Sequence, residues 1–250
     1  MSRALIGWIA ATIVAVGGAA LFYLFVLAGG SGEPSTELTT PEVTATTISE
    51  VGTTSGDGSN TTTSEPAPEE VSFVIDSGQT TASFQIGEVL RGEPTTVVGT
   101  TDQVAGQGVV DAVVLGSAQF SDIVINARTF QTDSDRRDRA IRGPVILDSG
   151  SDEHELIIFS PDSVEGLEGV SAAPGETYEF SLTGDLTVKG TTQTVTFVVT
   201  VAMIDESTIE GSAVAEVLRS DFEIGIPSVP SVADVTDEVT LGLEFVATAA

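Results

Sequence analysis

Between Glu176 and Met203 the chain reads as one long β-hairpin. Phe180, Leu182, Leu186 and Val188 alternate with Glu179, Ser181, Asp185 and Thr187 on the first arm. Val195, Phe197, Val199 and Val201 alternate with Thr194, Thr196 and Thr200 on the second, and Lys189-Gly190 forms the turn between them. A period of two puts one set of side chains on one face of a sheet. β-Branched and aromatic residues suit such a pleated, half-buried surface. Two arms this long make a curved antiparallel wall, so the functional question is what the wall encloses.

The same alternation recurs through residues 71–250. Strands are expected at 71–76, 80–86, 95–101, 109–115, 118–127, 155–160, 208–218 and 239–248, with Leu241, Leu243 and Phe245 strictly alternating in the last. Gly87 and Gly92 flank an expected break. The polar stretch 134–142 is the expected helix, with an Asp/Ser start and Gly143-Pro144 as a stop. Eight or more antiparallel strands with one short helix predict an all-β barrel or sandwich. A domain of this length can bury a real core.

The remaining residues divide in two. Residues 4–27 carry no charge, and about 20 such residues span a bilayer core. Trp8 and Tyr23 fall near the two ends, where interfacial aromatics are common. Residues 1–29 are therefore expected to be a short cytoplasmic stub and a single transmembrane signal anchor. The competing reading is a cleaved signal peptide, whose apolar region usually runs about 7–15 residues. Leu21 to Leu27 extend the run beyond Gly18-Ala19-Ala20, which favours the anchor; cleavage near Ala28 is the alternative, and would give a secreted protein. Arg3 precedes the span and acidic residues follow it, so the positive-inside rule predicts a single-pass cell-membrane protein with an extracytoplasmic C-terminal domain. Residues 30–70 are rich in Thr, Ser, Pro and Glu and lack Lys and Arg, which predicts a disordered tether. As a flexible coil it reaches roughly 35 Å. Asn60-Thr61-Thr62 matches a glycosylation sequon, a pattern that Thr-rich tracts also produce by chance.

Charge excludes whole classes of partner. There are 37 Asp and Glu against 9 Lys and Arg, a net charge of −28. Such a chain repels phosphate backbones, so no nucleic-acid partner is expected, and anionic head groups are disfavoured equally. The absence of cysteine excludes disulfides, lipoprotein anchors, Cys–zinc sites and thiol catalysis.

Several segments together resemble the YceI family of lipocalin-like barrels that bind isoprenoid lipids. Phe73-Val74-Ile75-Asp76 with Ala82-Ser83-Phe84 looks like the family's opening strands, and Leu90-Arg91-Gly92 precedes its second strand pair. Thr132 through Arg137-Asp138 to Arg142 resembles its Thr…Arg-Asp-x-His-Leu-Arg segment. Gly184 to Thr192 looks like its Gly-Asp-Leu-Thr-Leu-His-Gly-Val-Thr hairpin. Arg219-Ser220-Asp221-Phe222 with Gly225, Val235 and Asp237-Glu238-Val239 resembles its closing part. The resemblance implies a lipocalin-like, eight-stranded antiparallel β-barrel over 71–250. Ala140 and Lys189 stand where the family usually has histidines, and His154-Glu155 replaces a common Tyr-Pro. The arrangement looks more like the family's membrane-anchored actinobacterial branch.

An eight-stranded barrel is either filled by its side chains or holds one slender ligand. The inward candidates are Phe73, Ile75, Phe84, Ile125, Phe159, Phe180, Leu182, Phe197, Val199, Leu241 and Leu243. Taken singly they read as core; the resemblance implies that together they line a cavity for a long-chain isoprenoid or another apolar molecule. Arg128, Arg136, Arg137, Arg139 and Arg142 concentrate positive charge in an acidic chain. One reading is a cationic lip for a polar or pyrophosphate head group, carried by Arg137 and Arg142, which match the family segment. The other is local neutralisation by Asp133, Asp135 and Asp138. Enzymatic signatures are sparse. His154 is the single histidine, His154-Glu155 lacks the second histidine of a zincin, and no Gly-x-Ser-x-Gly elbow occurs. The aspartates at 133, 135 and 138 lack a calcium loop's glycine and final glutamate. A binding protein without catalysis, metal or cofactor is expected. A ligand-free surface module is the first alternative, and a hydrolase using His154 the last.

Overall fold

The alternating hairpin forms as expected. In a computed structural model that describes residues 70–250 with Leu38, Thr40 and Pro41, its arms are Thr177–Val188 and Thr191–Asp205. Phe180 faces Val199 and Leu182 faces Phe197 across the pair. On the outer face Thr183 and Thr196 share a hydroxyl hydrogen bond of 2.8 Å, as do Thr187 and Thr192. Lys189 and Gly190 both take positive φ, the geometry of a tight hairpin turn. The Lys189 ammonium donates to the carbonyls of Pro144 and Val145 at 2.9 and 3.1 Å, which pins the hairpin tip to the chain after the helix.

Numbered in chain order, the strands are β1 (Glu70–Ile75), β2 (Thr81–Leu90), β3 (Glu93–Thr101), β4 (Val104–Ala105), β5 (Gln107–Asp111), β6 (Gln119–Phe120), β7 (Ile123–Asn126), β8 (Leu156–Glu165), the two hairpin arms β9 and β10, β11 (Thr208–Leu218), β12 (Val232–Ala233) and β13 (Glu238–Ala249). All belong to one curled antiparallel sheet. From β8 the ladder passes through β9, β10 and β11 to β13. β13 then pairs with β2 along Val239–Glu244 and with β1 beyond it, because β1 and β2 are two halves of one run. A 3-10 turn at Ser77–Gln79 separates them, with the Asp76 carboxylate accepting from the Gly78 amide at 2.9 Å. β2 pairs with β3, β1 with β5, β5 with β6, β4 with β7, and β7 with β8.

The structure corrects several boundaries. The run expected at 118–127 is two short strands, and β8 continues through Pro161 to Glu165. A register shift between Pro161 and Ser163 allows this, because a bulge tolerates a residue that cannot donate to the ladder. Gly87 does not break its strand. A Cβ there would lie 2.9 Å from Thr236 Cγ2, so the glycine admits the segment ahead of β13. Helix α1 (Asp135–Ile141) falls within the expected stretch. The transmembrane segment expected at 4–27 lies outside the described residues. Among the described residues no helix is long and apolar enough to cross a membrane.

Phenylalanine rings cover glycines of neighbouring strands. Phe84 lies opposite Gly99, where a Cβ would approach the ring to 2.2 Å. Phe245 lies opposite Gly211, where it would approach to 2.6 Å. Gly99→Ala should therefore destabilise the protein by about 1–3 kcal/mol through overpacking. Urea unfolding followed by far-UV circular dichroism checks this, and Thr96→Ala at an exposed position of β3 provides the near-neutral comparison.

Candidate functional site

The inner face of the sheet is filled at one end and hollow at the other. At the filled end Phe84 stacks tilted on Phe130 with centroids 5.4 Å apart, and Phe159 meets Phe197 edge-on at 4.9 Å. Phe222, Ile141, Leu147, Leu186 and Val195 complete that floor. At the other end an apolar cavity of about 180 Å³ remains.

Six of the eleven expected inward residues line this cavity: Phe73, Ile75, Phe180, Leu182, Val199 and Leu243. Phe84, Ile125, Phe159, Phe197 and Leu241 do not; they belong to the packed interior or lie against it. Alternation identifies which face a residue occupies, and cannot say at which end of the strand the interior is full. The cavity also takes Phe120, Ile123, Leu167, Ala213 and Phe245. Phe245 continues the alternation of Leu241 and Leu243 and was legible. Leu167 and Ala172 come from connections that carry no periodic signal, whereas Leu115, expected at the end of a strand over 109–115, lies in a 3-10 turn after β5 has ended at Asp111.

The mouth is built from loops tied to one another. The Ala172 amide donates to the Ala112 carbonyl at 2.7 Å, and the Ser171 hydroxyl to the Val113 carbonyl at 2.8 Å. The Tyr178 hydroxyl accepts from the Ala173 amide at 2.8 Å and donates to the Ser171 carbonyl at 3.2 Å. The Gly175 amide donates to the Met203 carbonyl at 2.7 Å, joining this rim to the β10–β11 turn. In that turn Asp205 accepts from the Ser207 amide and hydroxyl, both at 2.8 Å. Those two bonds hold its carboxyl below the ordinary value. Glu206 beside it is the charged residue among those lining the cavity. An anion at the mouth of an apolar hole disfavours anionic groups passing it.

The arginines stand elsewhere. Arg137 pairs with Glu88 at 3.1 Å and with Asp133. Ile86 of β2 pairs with Val239, and Glu88 lies beyond it, whereas the cavity takes Leu243, Phe245 and Ala247 of the same strand β13. Six residues of strand separate Val239 from Phe245, about 20 Å. Arg142 donates to the Phe130 carbonyl at 3.1 Å and lies 3.7 Å from Asp138. Asp138, itself buried, accepts from the Thr132 amide at 2.8 Å and hydroxyl at 2.6 Å. The segment from Thr132 to Arg142 is thus a lock that fixes the helix to the Phe130 loop, and neither Arg137 nor Arg142 lines the cavity. Arg128 pairs with Asp152 at 2.5 Å and Glu155 at 2.8 Å. His154 pairs with Asp148 at 3.0 Å beside the hairpin turn at Gly190. Among the described residues no group of His, Asp and Glu could hold a metal ion.

Residues 73–247 match the family described as YceI-like domain. Among solved structures, the protein is similar to Burkholderia cenocepacia BcnA, at 22% identity and a TM-score of 0.54, covering 70% of this chain and 99% of that one. It is also similar to a polyisoprenoid binding domain from Saccharophagus degradans implicated in plant cell wall breakdown. That likeness has 13% identity and a TM-score of 0.55, covering 72% of this chain and 99% of the other. At these identities the likeness is one of fold. Comparison with curated proteins finds no match.

Two outcomes follow from the site's geometry. Asp138→Ala leaves the Thr132 amide and hydroxyl without their buried acceptor, and should cost about 1–3 kcal/mol in denaturant unfolding. Asp205 has a lowered pKa in the folded state, so its contribution to the rim turn is present above the unfolded value and lost as pH falls through the folded one. The NMR shift of the Ser207 amide should accordingly titrate with a midpoint below that of a free aspartate, and Asp205→Ala should abolish that titration.

Proposed function

The chain belongs to the YceI-like family, and from that premise we propose that it carries or sequesters a polyisoprenoid or similar long apolar molecule. The single observation that carries the reading is the cavity at one end of the interior, lined almost wholly by apolar side chains. We read the circuit of strand pairings as a closed, lipocalin-like, eight-stranded barrel in which β1–β2, β3–β5 and β6–β7 each count as one interrupted strand.

Volume sets what the cavity takes. Apolar holes of about 150 Å³ accept a molecule the size of benzene, and this one is about 180 Å³. The resting cavity therefore grips the end of an apolar chain. Each CH₂ removed from water adds about 0.8 kcal/mol, so a short buried piece already binds without a polar contact. With Arg137 and Arg142 held in ion pairs away from the cavity, a neutral head group fits the acidic rim better than a pyrophosphate. The uncharged run at residues 4–27 and the acidic tether support a membrane-anchored, extracytoplasmic location. That location gives an apolar cargo a lipid phase to leave and re-enter.

The rival reading is a ligand-free surface module, favoured by the packed floor around Phe84 and Phe159. Mass spectrometry of lipids extracted from the purified protein separates the two. The carrier reading predicts a long-chain isoprenoid or comparable apolar molecule in near-stoichiometric amount. Ala213→Phe, which fills the cavity from β11, should reduce it at least about tenfold while the circular dichroism spectrum is kept. Equal and trace amounts from both proteins would support the surface module.

A further inference from the structure

We propose that Leu38, Thr40 and Pro41 of the tether dock as a strap over an open seam in the wall of the domain. The seam lies between β6 and the far half of β8. Ladder pairing between β7 and β8 ends at Ile123 with Phe159. From Ser160 to Glu165 β8 is bonded on its β9 side, while among the described residues β6 pairs with β5 alone. Two strand edges therefore face each other without a ladder, and the register shift between Pro161 and Ser163 interrupts the regular course of β8 along this stretch. Between them runs a groove of about 530 Å³, lined by residues 116–122, by 161–164, by Leu182 and by Pro41 itself.

Three observations assign the strap to this place. Leu38, Thr40 and Pro41 are half-buried, although they lie in a stretch whose composition builds no core of its own. Exposed strand edges are normally covered by a loop or charged to prevent association with other chains. Proline has no amide hydrogen and biases the residue before it to an extended backbone, so Thr40-Pro41 can lie along an edge without lengthening the sheet. Accordingly these residues form no strand. The segment is also the uncharged interval between Glu37 and Glu42, which suits a groove carrying Asp122 and Asp162.

The groove and the apolar cavity share Ala118, Phe120 and Leu182. Those side chains form the partition between them, so the strap covers a lateral approach to the cavity as well as an edge. The role in ligand passage rests on the lipid-binding reading above; the docking does not. No step of the test involves a ligand, so failure here leaves that reading standing, and an empty lipid extract leaves the strap standing.

The chain has no cysteine, which allows a direct measurement in the full-length protein. Pro41→Cys is combined with Ser163→Cys across the seam, and as a control with Glu210→Cys on exposed β11. Under mild oxidation the seam pair should cross-link at least about tenfold faster than the control. In the variant Leu38→Asp with Pro41→Asp, hydrogen exchange at residues 119–122 and 160–165 should accelerate severalfold, while exchange in β9 and β10 stays unchanged. Equal cross-linking rates for the two pairs, or unchanged seam exchange in that variant, would overturn the proposal. Neither substitution touches the core, so both proteins retain the fold needed for the comparison.

Discussion

Aromatic rings laid across glycines of the adjacent strand decide the shape of this interior. A glycine opposite a phenylalanine leaves room for the ring to lie against the sheet, and lets the strand bend where a side chain would resist. Phe84 covers Gly99 in this way and, stacked on Phe130, helps to form the floor. Phe159 reaches the backbone at Gly184 and closes on Phe197 across the same floor. At the other end Phe120 covers Gly108 and Phe245 covers Gly211, so these rings are held against the wall. The rings are similar in volume. What differs is the company they keep: four meet in pairs and fill space, while Phe120 and Phe245 line a gap.

This division explains how a small all-β domain can be stable and hollow together. Unfilled volume costs dispersion contacts along its lining. The packed floor, with α1 locked over it by Asp138 and Arg142, supplies contacts that the hollow end lacks. Lys189 fastens the hairpin tip at that same end. The rim instead depends on loop-to-loop hydrogen bonds around Tyr178 and Met203, which are local and partly exposed. A rim of that kind opens at lower cost than a core does, and an apolar guest longer than the resting cavity requires it to.

Much of the wall was legible in the sequence because a period of two is set by strand geometry alone. Thr208–Leu218 and the long hairpin fall where their alternation puts them. Where tertiary contacts decide, the sequence is silent. Pro161 lies inside a strand because a bulge accommodates it, and Gly87 lies inside another because Thr236 needs the space. The two-residue strands at Val104–Ala105 and Val232–Ala233 are too short for any period. The site was half legible: the expected inward residues either line the cavity or belong to the packed core or lie against it, yet nothing in the alternation separates Phe180 from Phe159. The arginine cluster drew attention through its contrast with an acidic chain. Arg128 and Arg137 are paired to Glu88, Asp133, Asp152 and Glu155, and Arg142 lies beside Asp138, so for these three the charge is met locally.

The interior is filled at the Phe84–Phe159 end and hollow at the Phe180–Phe245 end. Xenon under pressure enters dry apolar cavities of this size. Diffraction from xenon-pressurised crystals therefore tests the claim without any knowledge of the natural ligand. Xenon density is predicted between Phe180, Val199, Ala213 and Phe245, with none among Phe84, Phe130 and Phe159. Xenon at the floor, or an interior without xenon in crystals free of bound lipid, would contradict it.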